Sequence, residues 1–501
     1  MVTIQSADIS RLLDGITSGD QKQTIQETLD LLGRKKVPPA KLAARVGIPA
    51  AWGGGDGYPL STLSVAGRVA EWMRNIPIGP EPGAGERRML APALPLVQGF
   101  LAVADRVKTG LVEPHPSLPD PLMPRDVKHQ DGPLGALRDY LISRDVEGVR
   151  RILLGYYATG TDYRNVLTAI YAALAEYYPE NGRPLCFAVL GSRVLDMADW
   201  GDRVPAFIYW FSPLMVEITP GTAVQEAARA YASVESHDLL WLRTRLSIPK
   251  EGAAGSVYQR ALVAGSAQDA CDATLQALKN GATPMGVAAG ACLAAAEILN
   301  AVPAADSAGL QQAGRLLLYT HSVHLATTQT QSPEIWPLLY TAACAVNAAG
   351  AGAGRAADQT RSRGVPSTPI GGLIAASMLR TLEQVVQSGD TASALAVSQR
   401  YLQMGHPSRA LAGVIASVAA GRSSGAVARA AFHPLVLTAA ALEGYLMLPE
   451  ALAAGGQNAL LTAAIRLAGE LQSEHLLASS VQSAIDRTIG GTNGRDTAAP
   501  R

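Results

Sequence analysis

The chain has 501 residues, with 42 Lys+Arg set against 42 Asp+Glu, 48% hydrophobic and 17% charged side chains. That length allows two to four domains, or one large repeat array, with an ample core. A neutral chain without a Lys/Arg run offers no electrostatic footing for nucleic acid or for an anionic membrane surface. Only 5% of its residues are aromatic while Ala, Leu, Val and Gly abound, which suits closely packed helices better than a β-sandwich.

In chain order, Met1 to Thr17 lacks the basic-then-apolar pattern of a secretory signal. Residues 1–113 read as an N-terminal helical unit. Inside it the turn Trp52-Gly53-Gly54-Gly55-Asp56-Gly57 leads into a helix with apolar positions at Leu60, Leu63, Val65 and Val69. That turn has neither the strand nor the spacing of a nucleotide-binding loop. Residues 114–133 carry six prolines and form a linker no helix could cross. Three helical repeats are expected over 134–250, 251–348 and 370–487, with a Gly/Ala-rich joint at 349–369 and a disordered tail at 488–501. The apolar run Gly286 to Leu299 falls short of the roughly 18 residues of a membrane span and contains Glu297. Cys186, Cys271, Cys292 and Cys344 show no CxxC spacing. They read as buried small hydrophobes in a reducing compartment, and the expected location is cytoplasmic.

Self-similarity is the most informative signal. Asp145, Ser266 and Asp390, all good N-caps, each precede a glycine by 15 positions: Gly160, Gly281 and Gly405. That interval fits a four-turn helix with a cap at one end and a left-handed glycine at the other. An alanine-rich helix follows each glycine: Val166 to Tyr178, Val287 to Leu299, Leu411 to Ala420. The glycines recur at 121 and 124 residues, a period far beyond local helix geometry. The fold class is therefore all-α, with quasi-repeated antiparallel helical units enclosing a central cavity.

Each unit then has a further helix with a polar residue at its start: Gly182-Arg183-Pro184-Leu185, Thr320-His321-Ser322-Val323, and Phe432-His433-Pro434-Leu435. The N-terminal unit offers Gly57-Tyr58-Pro59-Leu60. Proline after the polar position suits the first helical turn. Tyr58, Arg183, His321 and His433 thus become equivalent positions, and units packed about one axis would bring them together.

The region from about 140 to 350 resembles a bacterial family of helical proteins associated with Rieske iron–sulfur domains. That family is itself similar to the questin oxidase-like proteins of polyketide biosynthesis. The likeness rests on Gly182-Arg183-Pro184-Leu185-Cys186-Phe187 leading to Leu195-Asp196-Met197-Ala198-Asp199-Trp200. It also rests on the His321 helix followed by Ser332-Pro333-Glu334-Ile335-Trp336. In the family the first segment carries Gly-His. The resemblance implies an oxygen-using enzyme with histidine-bound iron and a small aromatic or polyketide-like substrate. A redox partner or a second copy of the chain would be its further partners. Tyr58 and Arg183 depart from the histidine pattern, and a guanidinium cannot ligate a metal. His321, His433 and His324, one turn from His321, remain as metal ligands, or the cavity holds no metal and Arg183 meets an anion or carbonyl. His321 and His433 read equally well as hydrogen-bonded core histidines, Arg183 as a structural ion pair and Tyr58 as packing. Two functions stay open: an oxidative tailoring enzyme with His321, His433, Arg183 and Tyr58 in its site, or a non-catalytic ligand-binding or scaffold relative. His237-Asp238 and Glu474-His475 read as solvated.

Overall fold

The computed structural model describes residues 6–160, 164–175, 182–198, 203–217, 252–353, 374–422, 431–448, 450–471 and 476–493. Trp200, His237-Asp238, Glu474-His475 and most of the 349–369 joint lie outside the described residues. Among the described residues all regular secondary structure is helical, with no strand.

Unit one comprises α1 (Ser6–Ser18), α2 (Gln21–Gly33), α3 (Pro39–Trp52) and α4 (Tyr58–Met73), followed by α5 (Ala84–Leu90), α6 (Ala93–Ala102) and α7 (Ala104–Gly110). Unit two comprises α8 (Gly132–Ser143), α9 (Val146–Ala158), α10 (Arg164–Leu174) and α11 (Arg183–Met197), then α12 (Val204–Met215). Unit three comprises α13 (Ser256–Val263), α14 (Ala267–Lys279), α15 (Pro284–Ala301) and α16 (Ser307–Gln329), then α17 (Pro337–Ala353). Unit four comprises α18 (Ala375–Gln387), α19 (Thr391–Gln403), α20 (Ser408–Ala420) and α21 (Pro434–Leu446), then α22 (Glu450–Gly469) and α23 (Leu476–Asn493).

The repeat is written in its caps. Asp20, Asp145, Ser266 and Asp390 each accept a backbone N–H three residues on with a side-chain oxygen, and each starts a helix of 13 residues. Ser266 adds a reciprocal capping box with Asp269. The preceding residue or its neighbour turns left-handed in every unit, at Gly19, Arg144, Gly265 and Gly389, and Gly160, Gly281 and Gly405 do so after the helix. The N-terminal unit is thus a full fourth repeat, and its signal, Ser18-Gly19-Asp20, is the same tripeptide as Ser388-Gly389-Asp390.

Small residues set how the units meet. In each unit a helix after the fourth (α6, α12, α17, α22) packs back on the second (α2, α9, α14, α19). The third helix reaches into the next unit: α3 lies on α11 and α12, α15 on α21 and α22, α20 on α4 and α6. For α10 the bridge to unit three is polar, with Tyr171 Oη donating to Gln329 Oε1 (2.5 Å) and Thr168 Oγ1 to Thr330 Oγ1 (2.9 Å). A Cβ added at Gly47 would lie 2.5 Å from Val194, and one at Gly413 within 3.2 Å of the Met73 backbone, so these seams close only because glycine lets helices approach. Unit four therefore packs against unit one, and the four units form a closed ring. Its inner wall is the four fourth helices, α4 on α11, α11 on α16, α16 on α21 and α21 on α4.

Three expectations are corrected. His321 is not at a helix start: α16 begins at Ser307 and runs through it to Gln329. Residues 488–493 are not a disordered tail but the last turns of α23, against α2, α5 and α6. The apolar stretch at 286–299 belongs to an 18-residue helix, α15, which is long and apolar enough to cross a membrane; 72% of its apolar window is buried inside the ring.

Candidate functional site

The four sequence-predicted positions lie at two levels of the inner wall. Tyr58, buried, meets Phe187 edge-on (centroids 5.0 Å apart) and Phe432 likewise (4.9 Å). Phe187 stands one turn into α11 from Arg183, and Phe432 precedes His433. The starts of α4, α11 and α21 thus converge on an aromatic cluster, and a Cβ at Gly57 would enter the Phe187 ring at 2.3 Å. Arg183 instead leans outward, donating from Nη2 to the exposed Glu217 (3.1 Å). His433 caps α21: Nδ1 accepts the Leu435 N–H (3.0 Å), so Nε2 carries the hydrogen and donates to the Arg422 carbonyl (3.1 Å). Burial pushes its pKa down to about 4, against the opposing bond to Arg422. Arg422 in turn donates to the carbonyls of Gly469 and Leu471 at the end of α22. Both ring nitrogens of His433 are engaged in holding backbone.

The second level was not anticipated. Arg68, Arg193 and Glu443 each stand ten positions after Tyr58, Arg183 and His433, about 15 Å further along their helices. Glu443 is buried and gathers a partner from each other inner helix. Arg193 Nη2 donates to its Oε2 (2.8 Å), His321 Nε2 lies 3.1 Å from the same oxygen, and Arg68 Nε lies 3.6 Å from Oε1. Burial alone would raise the Glu443 carboxyl, but Arg193, the His321 hydrogen bond and Arg68 together hold it well below the usual carboxylate range. Arg193 dominates over Arg68: its side chain is 12% exposed, against 50% for Arg68, and water screens the second pair. A carboxylate only accepts, so His321 Nε2 carries a hydrogen.

His321 Nδ1 is buried and has no hydrogen-bonding partner among the described residues; neither has either nitrogen of His324, whose ring centroid is 6.2 Å from that of His321. Burial first, and His321 second, push the His324 pKa down to about 3, so its imidazole is neutral near pH 7. On α4 the buried hydroxyls of Ser61 and Ser64 are also unpartnered among the described residues, and they share the helical face of Arg68. Thr438 on α21 is in the same condition. Such groups cost about 1–3 kcal/mol each when left unbonded, and the pair His321 and His324 beside the buried ion cluster marks this level for function.

The iron that the family resemblance implies does not fit these donors. His433 has no free lone pair, Arg183 is a permanent cation, and among the described residues no three His, Cys, Asp or Glu side chains could hold a metal ion. The ligand set His321, His433 and His324 is thereby corrected: His433 belongs to the aromatic level, away from the other two. Sequence reasoning missed Arg68 and Arg193, although Gly57-Tyr58-Pro59-Leu60 with Arg68-Val69, and Gly182-Arg183-Pro184-Leu185 with Arg193-Val194, repeat one spacing.

No family model, curated protein or solved structure matches the chain.

Proposed function

We propose that the chain is a proton-transferring enzyme acting on a small, weakly acidic aromatic or polyketide-like molecule held against the inner wall, in an oxidative tailoring reaction of questin oxidase-like type. One observation carries the chemical part. A buried, ionised Glu443 holds His321 through Nε2, and Nδ1, unpartnered among the described residues, faces no protein group that would compete for a proton passed to or from a substrate. A carboxylate behind an imidazole fixes its tautomer and stabilises the imidazolium formed when the ring takes a proton. Arg193 and Arg68 bring two positive charges to one negative, so the site favours a substrate anion as it develops. His324, neutral, is placed to exchange a hydrogen bond with a substrate oxygen. The oxidative part rests on the likeness of Gly182 to Phe187 and of Ser332 to Trp336 to that family.

The test is oxygen consumption and substrate loss over a panel of small hydroxylated aromatics, with the protein's metal content measured alongside. His321→Gln is expected to lower turnover by at least about 100-fold while circular dichroism stays unchanged. Absence of turnover and of ligand binding by the native chain across the panel would overturn the reading. A second reading, a non-catalytic scaffold or ligand-binding ring, is favoured by the way Glu443 ties all four inner helices together. It predicts that Glu443→Gln lowers stability while no ligand stabilises the native chain.

A further inference from the structure

We infer that Cys271 and Cys344 form a reversible thiol–disulfide pair that fastens the second helix of unit three to its fifth. The two Sγ atoms, on α14 and α17, are 3.4 Å apart and both side chains are buried. A disulfide needs about 2.05 Å, and rotation of one or both thiols about χ1 brings sulfurs this near together towards that distance. Cys344 Sγ also reaches the Ala267 carbonyl at 4.0 Å, and the Tyr258 ring packs beside both thiols. The remaining cysteines stand apart from this pair. Cys186 lies on α11 and Cys292 on α15, and burial pushes both thiols up to about 12.

The step needs a two-electron oxidant, and the probe is diamide, a small uncharged diazene. One thiol, as its thiolate, adds across the N=N bond. The second attacks that sulfur, the N–S bond breaks, the S–S bond forms, and the diazene leaves as the hydrazine with the two protons and two electrons. Treating the intact chain should reduce the titratable thiols from four to two and lower its mass by two hydrogens. It should also give one bridged peptide joining Cys271 to Cys344, and raise the melting temperature until dithiothreitol is added. The C186A/C292A variant should still form the bridge, and C344A should not. Four thiols surviving prolonged diamide, or bridges distributed among other cysteine pairs, would overturn the assignment. The readouts do not involve His321 or Glu443, so the outcome is independent of the proposed activity.

Discussion

Replacing Glu443 with Gln removes the one negative charge in the central cluster and leaves Arg193 buried beside a neutral amide. Breaking one partner of a buried ion pair costs about 3–5 kcal/mol, so Glu443→Gln should lose about that much in urea unfolding, and Arg68→Gln, half exposed, far less. The histidines make a prediction in acid. His433 titrates at about 4 and His324 at about 3 in the folded chain, both below their ordinary 6.5. The unfolded chain therefore binds these protons more readily. The stability they protect is whole above pH 6.5 and drains away as the pH falls through that value towards 4 and 3. Glu443, depressed, shifts stability only in stronger acid, below its ordinary 4.5. Urea midpoints should accordingly fall between pH 7 and 4.5, and His433→Asn should flatten that fall while costing about 1–2 kcal/mol at pH 7 through the weakened cap.

At the level of elements, two glycines with the same backbone angle separate conformational from steric demands. Gly160 and Gly182 both have φ near +70°, but a Cβ at Gly160 meets nothing within 4 Å, whereas one at Gly182 would sit 1.9 Å from the Tyr319 ring. Gly160→Ala should cost about 1–2 kcal/mol, the left-handed penalty alone. Gly182→Ala should cost more than about 4 kcal/mol, because α11 must part from α16. Thermal melts of the two variants check the difference. This is also the scale at which the sequence was most legible. Caps and left-handed glycines are local, so Asp145, Ser266 and Asp390 disclosed their helices, and the glycines their ends. What failed was register between elements. His321 reads as a helix start only by analogy with His433, although unit three has Gln311 ten positions before His321 with no proline after it. Arg68 and Arg193 were overlooked because an arginine on a helix ordinarily reads as a solvated side chain; only closure of the ring turns them inward, and closure is a long-range property that no window of sequence contains.

For the whole molecule, the contacts of α3 with α11 and α12, of α20 with α4, and of α23 with α2 and α6, make unit one a neighbour of both unit two and unit four. A chain truncated to residues 131–501 would uncover apolar faces on α11 and α20 and leave Glu443 without Arg68. It should aggregate or melt broadly, and separately produced 1–113 should rescue it, with co-elution in gel filtration and a sharpened transition. Failure to associate would mean that the seam between the first and last units contributes little.

Open solenoids fray from their ends, because a terminal repeat has one neighbour and peels away first. A circle has no such place. Every unit here is held from both sides, so damage in one is shared by two others, and heat should find no weakest edge from which to begin. For an ion cluster that draws one side chain from every quarter of the circle, the result is a centre that is complete only when the loop is shut.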